Sequence, residues 1–220
     1  MKVLVFDTET TGLPTERNAS IIETEKWPHI VQLSYMYYDT ETKKTIECVD
    51  DIIKIPEGIV ISEGSIAIHK ITNEHCDDNG IPIKDALNKF NECLQSCDVV
   101  VGHNISFDKR VIMVESIRNK IKQYFTTMGV KKPEYCTMKN SVDLCKIPVT
   151  NMKGEVYFKF PKLSELHEHL FKCVPKGLHN AMADVLICLR CYVFLEHKHD
   201  IAIDSNAFLQ AMFNVYCMED

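Results

Sequence analysis

The chain has no apolar run approaching the ~18 residues that mark a membrane span, so the sequence offers no segment for crossing a bilayer. It also lacks the apolar stretch of a secretory signal: "MKVLVFDTETTG" runs straight into strand-like sequence. Ten cysteines therefore read as reduced thiols of an intracellular protein, in cytoplasm or nucleus, rather than as a disulfide framework. Positive charge is in short supply as well. A formal net charge of −6 argues against a broadly basic surface that coats a duplex, and leaves room for a nucleic-acid substrate only where metal ions supply positive charge locally. There is no internal repeat, no low-complexity tract and no evident interdomain linker. A length of 220 residues at 45% hydrophobic content suits one sizeable core and fits two full domains poorly.

What is present is an opening group of strands followed by alternating strands and helices. "KVLVFDTE" reads as a buried strand, "HIVQLSYMYYD" as a second and "KTIECVDDIIK" as a third, with a long polar loop over 13–28 between the first two. Three consecutive strands suggest a meander. Residues 84–97 carry Ala86, Leu87, Phe90, Cys93, Leu94 and Cys97 at a spacing that puts them on one side of a helix. "CDVVVGHN" is a short, almost continuously apolar strand of the kind covered on both faces. A helix over about Ser106 to Arg118, a helix in "KLSELHEHLF" and a long apolar closing helix in "HNAMADVLICLRCYVFLEH" follow. The pattern is an α/β layer fold with a mixed sheet.

Two carboxylates close the first strand. Side chains alternate along a strand, so Asp7 and Glu9 project from one face, roughly 6 to 7 Å apart at the backbone, and such a pair makes a site for a hard divalent cation. An isolated D-x-E is weak evidence, because a strand end can simply be solvated. Two further acids strengthen it. Asp108 lies in the first turn of a helix that follows a buried strand, and Asp184 lies on the long apolar helix. Each has a plain alternative, a helix-start acid favoured by the dipole or an edge residue. Together they are acids at helix starts beside buried elements that can converge on the end of the first strand.

At this point the sequence resembles the DEDDh family of 3′-to-5′ exonucleases, the DnaQ-like group that includes the proofreading epsilon subunit of bacterial DNA polymerase III. The resemblance covers about residues 2–196, with "FDTETTGL", "GHNISFD" and "HNAMAD" as three ordered motifs and "WPHIVQLSY", "AIHKIT" and "FPKLSELHEHLF" as subsidiary features. It implies a ribonuclease H-like (exonuclease) fold, a mixed central sheet flanked by helices, and two-metal phosphodiester hydrolysis with Mg2+ or Mn2+. In that scheme Asp7, Glu9 and Asp184 hold one ion, and Asp7 bridges to a second whose water shell Asp108 orients. Two such ions about 3.5 to 4 Å apart stabilise the attacking and leaving oxygens of an in-line displacement. The pair at the strand end repels until metal and phosphate arrive, a strain that a functional site tolerates.

His179 stands five positions before Asp184, the spacing of the family's general base, and a histidine can take a proton near neutral pH. The related tyrosine subgroup would have Tyr where this chain has Asn180, so the histidine type is preferred. The resemblance also implies that Thr10, Thr11, Gly12 and Leu13 contact the terminal nucleotide. Thr11 and Leu13 read equally as turn and packing residues. Asn104 and Phe107 are candidate nucleotide contacts, with ordinary helix core as the alternative for Phe107. Cys188 and Cys191, with His167, His169 and Cys173 before them, have a spacing that invites zinc, but they lie in an apolar helix and read as small core residues.

The expected protein is a metal-dependent exonuclease over residues 1–196 that releases nucleoside monophosphates from single-stranded or frayed 3′ ends. DNA ranks ahead of RNA as substrate, with proofreading or repair as the role and any polymerase a separate chain. RNA trimming of the RNase T or oligoribonuclease kind is the alternative within the enzyme class, and a catalytically silent nucleic-acid-binding module is the alternative outside it. Residues 197–220 form a tail in which Phe208, Leu209, Met212, Phe213 and Tyr216 share one helical face behind the candidate caps Asp204 and Ser205, packing on the domain or docking to a partner or second copy.

Overall fold

A computed structural model describes residues 1–204 and 206–216. The chain opens with three strands, β1 (Lys2–Thr10), β2 (Ile30–Asp39) and β3 (Lys44–Lys54). Two short helices, α1 (Glu63–His69) and α2 (Asn73–Asn79), lead to β4 (Ile81–Pro82) and α3 (Ile83–Ser96). After β5 (Val99–Gly102) and α4 (Ser106–Asn119) come a small hairpin, β6 (Thr126–Thr127) and β7 (Val130–Lys131), and strand β8 (Glu134–Cys136). The helical turns α5 (Thr137–Asn140) and α6 (Val142–Cys145) precede a second hairpin, β9 (Pro148–Thr150) and β10 (Val156–Phe158). Helices α7 (Leu163–Phe171), α8 (Ala181–His197) and α9 (Ala207–Tyr216) close the described chain.

The main sheet runs β4-β3-β2-β1-β5-β8, with β1, β2 and β3 antiparallel in sequence order and β5 and β8 parallel to β1. The expected meander is therefore the first half of a mixed sheet. Alternation on β1 divides the core. Leu4 and Phe6 pack with Leu87, Phe90 and Leu94 of α3, where Phe6 meets the Phe90 ring edge-on at 5.3 Å. Val3 and Val5 face the other way, into Val185, Leu186 and Leu189 of α8. Helices cover both faces, which is why β1 and β5 read as unbroken apolar runs. No helix among the described residues is long and apolar enough to cross a membrane.

The sequence did not suggest α1 and α2, whose seven residues each are too short to show a helical repeat. Their starts are set by side chains: Ser62 accepts from the Ser65 N–H and Thr72 from the His75 N–H. Helix α9 is a correction in detail. Asn206 caps it, its Oδ1 accepting from the N–H groups of Phe208 and Leu209 at 3.1 and 3.2 Å, while Asp204 instead pairs with His199 at 2.5 Å. The sequence pattern extends the helix over 205–217, of which Ser205 and 217 lie outside the described residues. Leu209 and Phe213 are buried against the α8 side of the core, Met212 and Tyr216 are half-covered, and Phe208 is exposed.

Candidate active site

The odd-numbered face of β1 buries Val3 and Val5 against α8, so the same alternation sends Asp7 and Glu9 toward the start of that helix. Asp184 sits there, in the first turn of α8. One carboxylate oxygen each from Asp7, Glu9 and Asp184 lies within 4.8 Å of the others. It is the one such group of potential metal ligands among the described residues. Three oxygen donors, with neither thiol nor imidazole among them, suit a divalent metal ion.

Electrostatics say the same. Burial first, and then the charges of Asp108, Asp184 and Glu9, push the Asp7 carboxyl well above the usual carboxylate range. Glu9 is pushed up to about 8, again by burial and then by Asp184 and Asp108. Burial also raises Asp184, against a hydrogen bond from the His179 N–H. Burial and mutual repulsion raise these carboxyls, and a bound cation would offset that crowding of negative charge.

Asp108 reaches the cluster from the opposite side of β1. Its Oδ1 accepts the Thr8 N–H at 3.1 Å and the Thr8 hydroxyl at 2.8 Å. Those bonds oppose burial, which nevertheless leaves the Asp108 carboxyl raised. The acid is thus beside the three-carboxylate group rather than in it.

His179 precedes α8 at φ 71° with its imidazole exposed, and its backbone N–H donates to Asp184 Oδ2 at 3.1 Å. Asn180, one residue on, is the N-cap: its Oδ1 accepts from the N–H groups of Met182 and Ala183 at 3.1 and 3.3 Å. The position that separates the histidine and tyrosine subgroups is therefore spent here on fixing the helix that carries Asp184.

A cleft of about 490 Å³ adjoins the acids, and Glu9, Thr10, Gly12, Leu13 and Phe107 line it together with His69. Leu13 is 80% exposed, as an apolar contact for a ligand would be and a packing residue would not. Thr10 braces the turn by donating to the Gly12 carbonyl at 2.7 Å. Thr11 looks away: its hydroxyl accepts the His29 N–H at 3.0 Å, so only its backbone belongs to the turn. Asn104, at φ 64°, is exposed in the loop before α4 and does not line the cleft.

The family model for exonucleases matches residues 4–192, a span that contains every acid of the cluster. The chain belongs to the exonuclease family. No curated protein matches it significantly. Among solved structures, E. coli exonuclease I in complex with a dA16 oligonucleotide superposes with a TM-score of 0.63 at 19% identity, covering 88% of this chain and 41% of that one. Its complex with a dT13 oligonucleotide gives 0.64 at 18%, covering 90% and 42%. The likeness is one of fold, and this chain spans less than half the length of the exonuclease I chains it matches.

The histidine of "AIHKIT" is His69, which nothing local in sequence ties to the first motif. In this exonuclease-family chain, buried His69 accepts the Ile71 N–H at Nδ1 (3.0 Å), which leaves Nε2–H to donate to the Thr10 carbonyl at 3.2 Å. Burial lowers the His69 pKa, in keeping with that neutral tautomer. Cys188 and Cys191 are buried in the core, as small core residues would be, and His167 lies between the Cys173 carbonyl and Arg190 at 2.9 and 3.0 Å. A larger cavity of about 790 Å³ under α9 is lined by His167 and Arg190, and Arg190 is held by both oxygens of Asp200 at 2.7 Å.

Proposed function

We propose that the chain removes nucleotides one at a time from the 3′ end of DNA, using Mg2+ or Mn2+. The observation that carries this reading is the meeting of Asp7, Glu9 and Asp184 within 4.8 Å of one another beside a cleft sized for a nucleotide. Those three acids would hold one ion, and Asp108 with Asp7 would help to hold a second. When bound, such ions offset the charge that builds on the attacked phosphate and on the leaving oxygen.

The chain's own residues then have distinct tasks. Leu13 and Phe107 hold the terminal base by apolar contact and stacking. The Thr10–Gly12 turn, stiffened by His69 and by the backbone pairing of Thr11 with His29, presents amides to that nucleotide. His179 takes the proton from the attacking water, turning its imidazole toward the acids when substrate is present.

Single-stranded or frayed ends are the substrates, since unpairing a matched end costs energy. The DNA assignment rests on exonuclease I, whose solved complexes hold dA16 and dT13 oligonucleotides. Proofreading or repair is the corresponding role. Digestion of matched 5′-labelled DNA and RNA strands tests it: a ladder shortening from the 3′ end of DNA, abolished by EDTA, is expected. Cleavage that persists in EDTA, or equal cutting of a circular strand, overturns the reading, and faster digestion of RNA reassigns the sugar.

A further inference from the structure

The β9–β10 hairpin pairs with no other strand among the described residues. Isolated two-stranded hairpins are marginal in water, and exposed apolar groups there call for a use. Tyr157 is 54% exposed, Phe158 45% and Phe160, just past the hairpin, 57%. The segment 146–162 also carries Lys146, Lys153, Lys159 and Lys162 against a single acid, Glu155, in a chain whose net charge is −6. Lys159 is held by Glu165 at 2.5 Å, and Glu155 by Asn151 at 2.8 Å, within the hairpin's own turn.

Its root is fixed beside the acids. His103 lies on the loop that carries Asn104 and leads to Asp108, and its Nε2 donates to the Pro161 carbonyl at 3.0 Å. Its Nδ1 accepts the Thr137 hydroxyl at 2.9 Å. Burial lowers the His103 pKa to about 4, so the ring is neutral and fits that pairing of one donor with one acceptor. β5 lies parallel to β1 with Val101 opposite Val5, which puts His103 next to the strand end that bears Asp7.

Exposed rings interleaved with ammonium groups suit a polyanion with stackable bases better than an uncharged apolar partner, because rings take the bases and lysines the phosphates. We propose that Tyr157, Phe158 and Phe160, with Lys146 and Lys153, form a platform for single-stranded nucleic acid that holds the strand upstream of the 3′ end. The proposal rests on the nuclease reading above and extends it to the length of strand engaged.

The test uses the full chain and its Y157A/F158A/F160A variant. Anisotropy of fluorescent oligothymidylates of roughly 4 and 16 nucleotides, the span of typical single-strand sites, is read in EDTA, where no turnover occurs. Hydrolysis of the p-nitrophenyl ester of thymidine 5′-phosphate is read with Mg2+. The variant should lose at least tenfold in affinity for the longer strand while keeping the affinity for the shorter one and the ester hydrolysis. A K146Q/K153Q variant should bind the longer strand with a shallower salt dependence. It decides the matter if the triple variant melts early. Unchanged affinity for the longer strand overturns the platform, as does an equal loss on the ester, or self-association that the variant abolishes with no change in strand binding. A wild type that binds the longer strand through these residues but hydrolyses nothing overturns the nuclease reading and leaves the platform standing.

Discussion

Thr8 gives its backbone N–H and its hydroxyl to the same oxygen of Asp108, at 3.1 and 2.8 Å. One side of the acid is thereby fixed by the protein. Replacing Asp7, Glu9, Asp108 or Asp184 by Ala should cost several orders of magnitude in single-turnover rate, roughly 4 kcal/mol or more in barrier terms. Thr8→Val, which keeps the shape and removes one bond to a charged group, should cost about tenfold. Wild-type rates in Thr8→Val would show that Asp108 needs no such alignment.

Stability without metal should depend on pH in an unusual direction. Glu9 has its folded pKa raised from 4.5 to about 8, so between those values the folded chain binds more protons than the unfolded one. Stability is then fully present below the lower value and is lost as pH rises through the upper. In EDTA the melting temperature should fall from about pH 5 to pH 8, Mg2+ should restore it at pH 8, and Glu9→Gln should flatten the slope. A melting temperature that climbs over this range in EDTA would contradict the burial of these acids.

His179→Ala should leave nucleotide binding nearly intact and lower turnover, because a general base matters chiefly in the transition state. The pH profile of turnover should differ between the variant and the parent. Normal turnover with an unchanged profile would make His179 a turn residue whose contribution is its backbone N–H to Asp184.

The tail joins the domain at a sensitive place. Tyr216 donates to Asp50 Oδ2 at 3.1 Å, Asp50 Oδ1 accepts from Gln32 at 2.7 Å, and Gln32 Oε1 accepts the Ala181 N–H at the start of α8. Phe213→Ala should destabilise by about 3 to 5 kcal/mol, and Tyr216→Phe should lower the rate more than the melting temperature. Removal of everything from Asp204 onward with no effect on melting, solubility or rate would show that α9 supports nothing.

The first three strands, the four large helices and the acids' shared face were legible because long periodic segments and strand alternation are local properties. Arrangements that depend on distant partners were not. Nothing near Thr8 in sequence says that it will hold Asp108, and nothing near Thr11 says that its hydroxyl will accept the His29 N–H. Asn180 stood out only as a missing tyrosine, although Asn before an apolar helix is a cap signal that could have been used. Strand β8 and the β9–β10 hairpin have three-residue strands, too short for alternation to register.

Asp7 and Glu9 come from the first strand and Asp184 from a helix near the far end of the family match. A ribosome adding about 5 to 20 residues per second makes the first two roughly 10 to 40 seconds before the third. Until α8 has emerged and docked, the three carboxylates have not met, and the nascent chain has no cation cage.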